Sequence, residues 1–458
     1  MIDLGEETDV ITCYDEVLSN LLAKYAIDKE PIEVSFRNIV NNLKPDRSTH
    51  LIHTYTAKLL MHIPHFFLNN EVFSKRGDIV LDPFCGSGTV MLEAVLAGRN
   101  AVGADANPLA RLISKVKVRK YDFDALRKAS DDLIEQIALC NSSKKPYVVN
   151  INYWFSPKIQ EQLSTILYCI EKIQNLEHNE FFQVCFSNCV KKVSYADQRV
   201  SVPVKLNPDR YSTIHPLYVK SKRKLANLEN VNVIARFKEI IDDNLNRFKS
   251  LDEFPIEPCS ANIASEDARC LVQNLDNLPI RLPNNSISLI ITSPPYAGAQ
   301  KYIRSSSLSL GWLNLTDGQA ALKKLDDQNI GRENYKKAAY STLHYTNIPA
   351  ADALLEKIFL INPLRAHIAA NYLLEMKAAF AESVRVLKNG GHFILVVGNN
   401  RVCGFEFETQ EYLRQILEGL GLNTVLRLID DIQSYGLMTK RNKTANVITR
   451  EWVLVFEK

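Results

Sequence analysis

Two short stretches of the chain carry residue types that can do chemistry. In Leu81-Asp82-Pro83-Phe84-Cys85-Gly86-Ser87-Gly88-Thr89 an apolar run ends in an acid and turns through two glycines. Glycine reaches positive φ and lets a ligand approach the main chain closely. A helix starting at Thr89 would present free N–H groups there, so the turn can hold a phosphate or a carboxylate. A nucleotide-phosphate loop would carry a lysine after its last glycine, and Ser87-Gly88-Thr89 does not. Asp105 ends the next apolar run, 17 residues beyond Gly88, where a carboxylate can accept both hydroxyls of a ribose. In the second stretch, Thr292-Ser293-Pro294-Pro295-Tyr296, two prolines fix φ. They hold the Ser293 hydroxyl and the Pro294 carbonyl as acceptors, and the Tyr296 ring can stack on a planar ligand. Each stretch taken alone is also readable as an ordinary rigid turn.

These groups act together only if the chain brings them to one place. Residues 79–82 read as a buried strand, 89–97 as a helix closed by Gly98, and 100–105 as a second strand, which makes a parallel β-α-β unit. Asn107-Pro108 opens a further helix. Strand patterns recur at 260–264, 288–292, 392–397, 423–429 and 451–456, with helices over 365–387 and 409–420. Seven strands alternating with helices predict a doubly wound α/β sheet. Residues 121–255 break the alternation with long helical stretches, such as 123–139 and 158–175, and prolines at 203, 208 and 216; they read as an insertion. The division expected is an N-terminal accessory segment 1–48, a first core part 49–120, the helical insertion 121–255 and a second core part 256–458 with an insert at 297–375. In such a sheet ligands sit beyond the carboxyl ends of the strands, so both motifs face one edge. On the residues alone the pocket suits NAD or S-adenosylmethionine, although GSGT departs from the GxGxxG of dinucleotide sites.

Asp82-Pro83-Phe84-Cys85-Gly86-Ser87-Gly88-Thr89 is similar to the cofactor motif of DNA adenine-N6 and cytosine-N4 methyltransferases. His53-Thr54-Tyr55-Thr56-Ala57-Lys58 resembles the segment of that family that packs over the methionine end of S-adenosylmethionine, and Ser265-Glu266-Asp267-Ala268-Arg269 its adenine-contacting motif. The resemblance covers residues 49–118 and 260–300, and 380–458 by strand pattern. It implies a class I, Rossmann-like, seven-stranded methyltransferase sheet with a largely helical insertion. It implies S-adenosylmethionine as cofactor, with Asp82 and the Phe84–Gly88 loop at the methionine part, Asp105 at the ribose and Asp267 at the adenine amino group. Tyr55, Lys58, Pro83, Cys85, Ser87, Thr89, Ala106, Asn107 and Ala268 accompany them in the matching motifs.

The exocyclic amine of a base is a poor nucleophile because its lone pair is delocalised into the ring. Ser293 Oγ and the Pro294 carbonyl can accept its protons and localise that pair, while Pro294 and Pro295 stiffen the loop and Tyr296 stacks on the base once it has left the duplex. Serine in the first position of Ser293-Pro294-Pro295-Tyr296 is the form usual in cytosine-N4 enzymes. The function expected is therefore cytosine-N4 methylation of double-stranded DNA in a restriction-modification or defence system, with a separately acting endonuclease as a partner. Adenine N6 is the alternative base, and an RNA amino-methyltransferase a more distant one. Lys301, Tyr302 and Arg304 after the catalytic loop, Lys222 and Arg223 in the insertion, and Lys440 and Arg441 near the end are the candidate DNA contacts, each also readable as a solvated face.

A 458-residue chain that is 46% hydrophobic and 23% charged has the composition of a soluble protein. It has no apolar run of membrane-spanning length and no secretory leader pattern, which points to a cytoplasmic protein, and the resemblance implies a bacterial or archaeal one. A net charge of only +3 requires a nucleic-acid enzyme to cluster its basic residues. The nine cysteines are scattered and read as reduced thiols. Pro258-Cys259 and Glu229-Asn230-Val231 stand in the wrong order and place for a C5-cytosine site. His62-x-x-His65 and Cys185-x-x-x-Cys189 lack a second ligand pair, so no metal is expected.

Overall fold

The computed structural model describes residues 13–44, 47–56, 58–252, 259–275, 278–298, 301–432 and 450–458. Strands form at β1 (Ile32–Val34), β2 (Ile79–Asp82), β3 (Asn100–Ala104), β4 (Ala261–Ser265), β5 (Val272–Leu275), β6 (Leu278–Arg281), β7 (Ile287–Thr292), β8 (Leu387–Val397), β9 (Asn400–Val402), β10 (Phe405–Phe407), β11 (Asn423–Asp431) and β12 (Arg450–Glu457). Eight of them make one sheet in the order β1-β11-β12-β8-β7-β2-β3-β4, and β5-β6 and β9-β10 are separate hairpins. Neighbouring strands of the large sheet run parallel except at β12, which is antiparallel to both β11 and β8.

This is the doubly wound α/β sheet expected, with two differences. Residues 1–48, read as an accessory segment, contribute β1, which pairs with β11. Three residues are too few to show an alternating pattern against their surroundings. The strand expected at 392–397 starts earlier, so that Lys388-Asn389-Gly390-Gly391 lies inside β8, where a register shift against β7 accommodates it.

The chain runs from β2 outward to β3 and β4, then returns to β7 on the other side of β2. The topological switch point thus falls between β2 and β7, paired at Val80–Leu289 and Leu81–Ile290. β7 is buried at every residue, which suits its β-branched, apolar run. Alternate residues feed two core layers: Val80, Leu289 and Ile291 on one face, Leu81, Ile287 and Ile290 on the other. The second face packs beneath the helix over Pro363–Val386.

The stretch 121–255 is mainly helical, as read, with its longest helices over Phe123–Leu139, Pro157–Glu171, Leu176–Val193, Pro216–Glu229 and Val233–Asp252. The helix over Leu176–Val193 presses on those over Pro108–Val118 and Tyr302–Trp312. It also carries polar ties into the core. Ser187 Oγ donates to Ser309 Oγ (2.8 Å), and Asn188 Nδ2 donates to the Ile52 carbonyl (2.6 Å). The insertion therefore shares a core with the sheet and clamps the segment that precedes Tyr55.

Candidate active site

Asp82, at the end of β2, is buried, and its Oδ1 accepts from the Phe84 amide (3.1 Å) and from Thr292 Oγ1 at the end of β7 (2.6 Å). One carboxylate oxygen thereby ties the two candidate loops together. Burial raises the Asp82 carboxyl to about 7; the bonds from Thr292 and Phe84 offset only part of that cost.

The turn that follows closes on itself, with the Gly88 amide donating to the Cys85 carbonyl (2.7 Å) and the Cys85 amide to the Ala104 carbonyl at the end of β3 (2.9 Å). Gly88 has φ +76°, and a Cβ there would stand 2.9–3.0 Å from Ser114. No other residue fits without displacing the helix over Pro108–Val118. Asp105 Oδ2 accepts from the Gly86 amide (3.0 Å) and its Oδ1 from the Asn107 amide (2.8 Å). A carboxylate has about four lone-pair sites. Asp105 can fix the loop and still accept two ribose hydroxyls. Burial raises its carboxyl, against the lowering effect of those two amides and Arg111. Asn107 Nδ2 donates to Tyr55 Oη (3.1 Å) and Ser306 Oγ (3.0 Å), placing the Tyr55 ring over Gly86.

A cleft opens at this edge, walled by Tyr55, Pro83, Phe84, Gly86, Asp105 and Ala106 from the first half of the core and by Asp267, Ala268, Ser293 and Pro295 from the second. The loops after β2, β3, β4 and β7 thus converge, and Ser293 shares a wall with the glycine turn. The sequence model of the DNA methylase family matches residues 38–115, which hold the first half of this cleft. The Type II methyltransferase M.MvaI of Kocuria varians is 21% identical over 423 residues, 89% of this chain and 89% of that protein. The Type II methyltransferase M.MjaII of Methanocaldococcus jannaschii is 32% identical over 99 residues, 22% of this chain and 18% of its own length. Among solved structures, a putative DNA modification methylase of Thermus thermophilus, complexed with S-adenosyl-L-methionine, aligns with 38% of this chain and 49% of its own, at 18% identity and a TM-score of 0.20.

By these likenesses the chain resembles the DNA amino-methyltransferases, most closely along residues 38–115. Its cofactor is accordingly S-adenosylmethionine. The cleft has groups that suit that molecule: a glycine turn, the Asp105 carboxylate with lone pairs left for a ribose, and the Tyr55 ring on its wall.

Other residues of this methyltransferase stand where its sequence motifs do not predict. Lys58 does not line the cleft; its ammonium donates to the His50 and His53 carbonyls (3.2 and 2.8 Å), and burial lowers it to about 8. It braces the Tyr55 segment from behind. Cys85 is buried 3.7 Å from Ser114 Oγ, and burial pushes its thiol well up, which leaves it a packing residue. Ser87 and Thr89 are buried beneath the turn. Asp267 reaches the cleft with its carboxylate already held by Arg269 Nε (2.9 Å) and Nη2 (2.9 Å). Pro294 is buried, and Tyr296 packs half-buried against the second core layer. Burial raises the Tyr296 phenol well above its usual value, with Glu451, Tyr302 and Tyr372 adding to the effect.

Tyr302, read as a DNA contact, lines the cleft together with Tyr55. Lys301 pairs with Glu333 at 3.4 Å, Arg304 is exposed, and so are Lys222 and Arg223. Lys440 and Arg441 lie outside the described residues. Sequence reading missed Gln328, Asn329 and Ile330, which complete the cleft from the far side. Arg269 Nη2 donates to the Gln328 carbonyl (3.0 Å), so the partner of Asp267 also fixes that segment. It missed Glu93 as well. This fully buried carboxylate accepts from Arg47 (2.9 Å), His50 (2.7 Å) and His65 (2.8 Å). Burial alone would raise Glu93, but the bonds from His50 and His65 outweigh it and hold the acid well below its usual range. His65 of the His62-x-x-His65 pair is thereby accounted for. Among the described residues no cluster of three or more His, Cys, Asp or Glu side chains is arranged to hold a metal, and no helix is long and apolar enough to cross a membrane.

Proposed function

We propose that this methyltransferase modifies the N4 amine of cytosine in double-stranded DNA, as the cytoplasmic modification partner of a separately acting restriction endonuclease. The observation that carries the reading is Ser293 on the cleft wall, one residue after the Thr292–Asp82 tie that joins the catalytic loop to the cofactor turn. S-adenosylmethionine supplies an electrophilic methyl on a sulfonium. The Gly86–Gly88 turn and Asp105 orient it, with the Tyr55 ring above. Ser293 Oγ and the Pro294 carbonyl accept from the amine of a base that has left the duplex, which localises the nitrogen lone pair toward the methyl. The proton leaves the methylated nitrogen through Ser293 or water, and no covalent bond to the protein is needed. Ser293, which has a hydroxyl where a carboxylate or amide stands in other members, supports cytosine over adenine.

Purified protein, labelled S-adenosylmethionine and duplex DNA of varied sequence test this, with mass spectrometry of the digested nucleosides. N4-methylcytosine is expected. N6-methyladenine would overturn the choice of base while leaving the amine chemistry standing. Label at cytosine C5, label only in RNA, or no cofactor binding would overturn the reading altogether. Ser293→Ala and Tyr296→Ala should bind cofactor normally and lose transfer by a factor on the order of 10².

A further inference from the structure

The chain carries a formal charge of only +3, yet residues 191–224 hold nine lysines and arginines against two aspartates and no glutamate. The remainder of the protein is net negative, so the positive potential is concentrated in one stretch. The fold keeps that stretch together. Ala196 pairs with Lys205 in an antiparallel bridge, and the Leu206 amide donates to the Tyr195 carbonyl (2.8 Å). Lys224 Nζ ties the helix over Pro216–Glu229 to the Ala196 carbonyl (3.3 Å). The Arg199 guanidinium lies over the Tyr211 ring, which stacks in turn on His215.

Most of this charge is uncompensated within the protein. Among the described residues only Arg199 of the nine has a carboxylate within 4.0 Å, that of Asp197. Arg210, Lys220, Lys222 and Arg223 are exposed. Lys205 stands 4.5 Å over the exposed Tyr153 ring and 5.3 Å over Tyr195, a cation held on an aromatic platform at the surface. The stretch begins at Lys191 and Lys192, the C-terminal turn of the helix that clamps the Tyr55 segment. Burial holds His53, two residues before Tyr55, well below its usual value, and Lys58, Lys191 and Lys192 add to that effect.

We infer that the surface formed by residues 191–224 grips the phosphate backbone of the DNA duplex while the cleft holds the extruded base. The inference rests on DNA being the substrate and goes beyond it by naming the gripping surface. Dispersed cations and interleaved rings suit a regular array of phosphates, which each Lys or Arg contacts with release of counterions.

The test compares full-length protein with a Lys220→Gln/Lys222→Gln/Arg223→Gln variant and a control, Lys24→Gln/Lys128→Gln/Lys357→Gln, altered at exposed lysines elsewhere. Affinity for a duplex oligonucleotide is measured across a salt series, with S-adenosylmethionine affinity as the check on folding. The first variant should bind DNA weaker by roughly tenfold or more near physiological salt. Its log–log salt slope should be shallower by about 0.9 for each phosphate that is no longer neutralised. The control should match wild type. Equal slopes in both variants, or a weakening confined to RNA or to anionic vesicles, would overturn the proposal. Wild-type protein that methylates DNA while the first variant binds it normally removes the gripping surface alone. Wild-type protein that fails to methylate DNA removes the substrate reading instead.

Discussion

The loop after β2 and the loop after β7 reach the same cleft but are held in different ways. Apart from the Thr292–Asp82 bond, the first is fixed by residues 82–114: Asp82 holds Phe84, Cys85 holds Gly88, Asp105 holds Gly86 and Asn107, and Ser114 fills the space beside Gly88. The second borrows its rigidity from afar. Beyond its two prolines, the Gly298 amide donates to the Gly331 carbonyl (3.0 Å). Gly331 has φ +80° and packs so closely on the Tyr296 carbonyl that a Cβ would come within 2.9 Å of it. Glu333, two residues on, is held by Arg365 (2.9 Å) and Lys301 (3.4 Å). A cofactor loop built locally can form its pocket before any target arrives. The proposed catalytic loop, braced by residues 331–333 and the helix over Pro363–Val386, depends on the whole second half of the core being in place.

The comparison is broken most directly at the glycines. Gly88→Val forces a branched side chain into Ser114 at a backbone conformation that β-branched residues avoid. Cofactor binding should fall below detection by calorimetry, with a loss of stability on the order of 2–4 kcal/mol, and transfer should vanish with it. Retained binding would show that the turn tolerates far more than its geometry suggests. Gly331→Ala strikes the other loop, pressing a methyl on the Tyr296 carbonyl. Here cofactor affinity should stay within about threefold of wild type while transfer drops roughly 10–100-fold, since a misplacement on the order of 1 Å costs that much. If Gly331→Ala weakened cofactor and transfer equally, the two loops would be one unit and the contrast would fail.

The same contrast explains what was legible in the sequence. Seven strands, the glycine turn, Asp105 and the Ser293 loop were readable because each is a local pattern: an apolar run, a glycine, an acid or a proline at fixed offset. Gln328, Asn329 and Ile330 were not, because they reach the cleft through a fold-back that Arg269 and Glu375 hold, and no short pattern marks it. Glu93 looked like one more residue of an apolar helix, yet its three partners come from 28 to 46 residues earlier in the chain. That Tyr302 lines the cleft was not legible either, because its helix reaches that wall through the Asn107–Ser306 bond, 199 residues apart in the chain. The charge of residues 191–224 could be counted from the sequence. That the stretch folds into one surface could not.

The mildest test concerns the Thr292–Asp82 bond, which joins the loops. Asp82 titrates near 7 in the fold, against about 3.9 for a free aspartate. Between those values the folded protein binds a proton that the unfolded chain has lost, so stability falls as pH rises from about 4 to about 7 and is level above that. Asp82→Asn keeps a carbonyl to accept from Thr292 and Phe84 but cannot ionise. Its melting temperature relative to wild type should therefore climb across that window, by a few degrees, and hold steady at higher pH. Removing the acceptor by Asp82→Leu should instead leave Thr292 Oγ1 buried without its partner and lower stability at every pH. A flat difference between Asp82→Asn and wild type from pH 4 to 8 would mean that Asp82 is ionised throughout. The loops would then be joined by a charged tie rather than one that gains its charge only near neutrality.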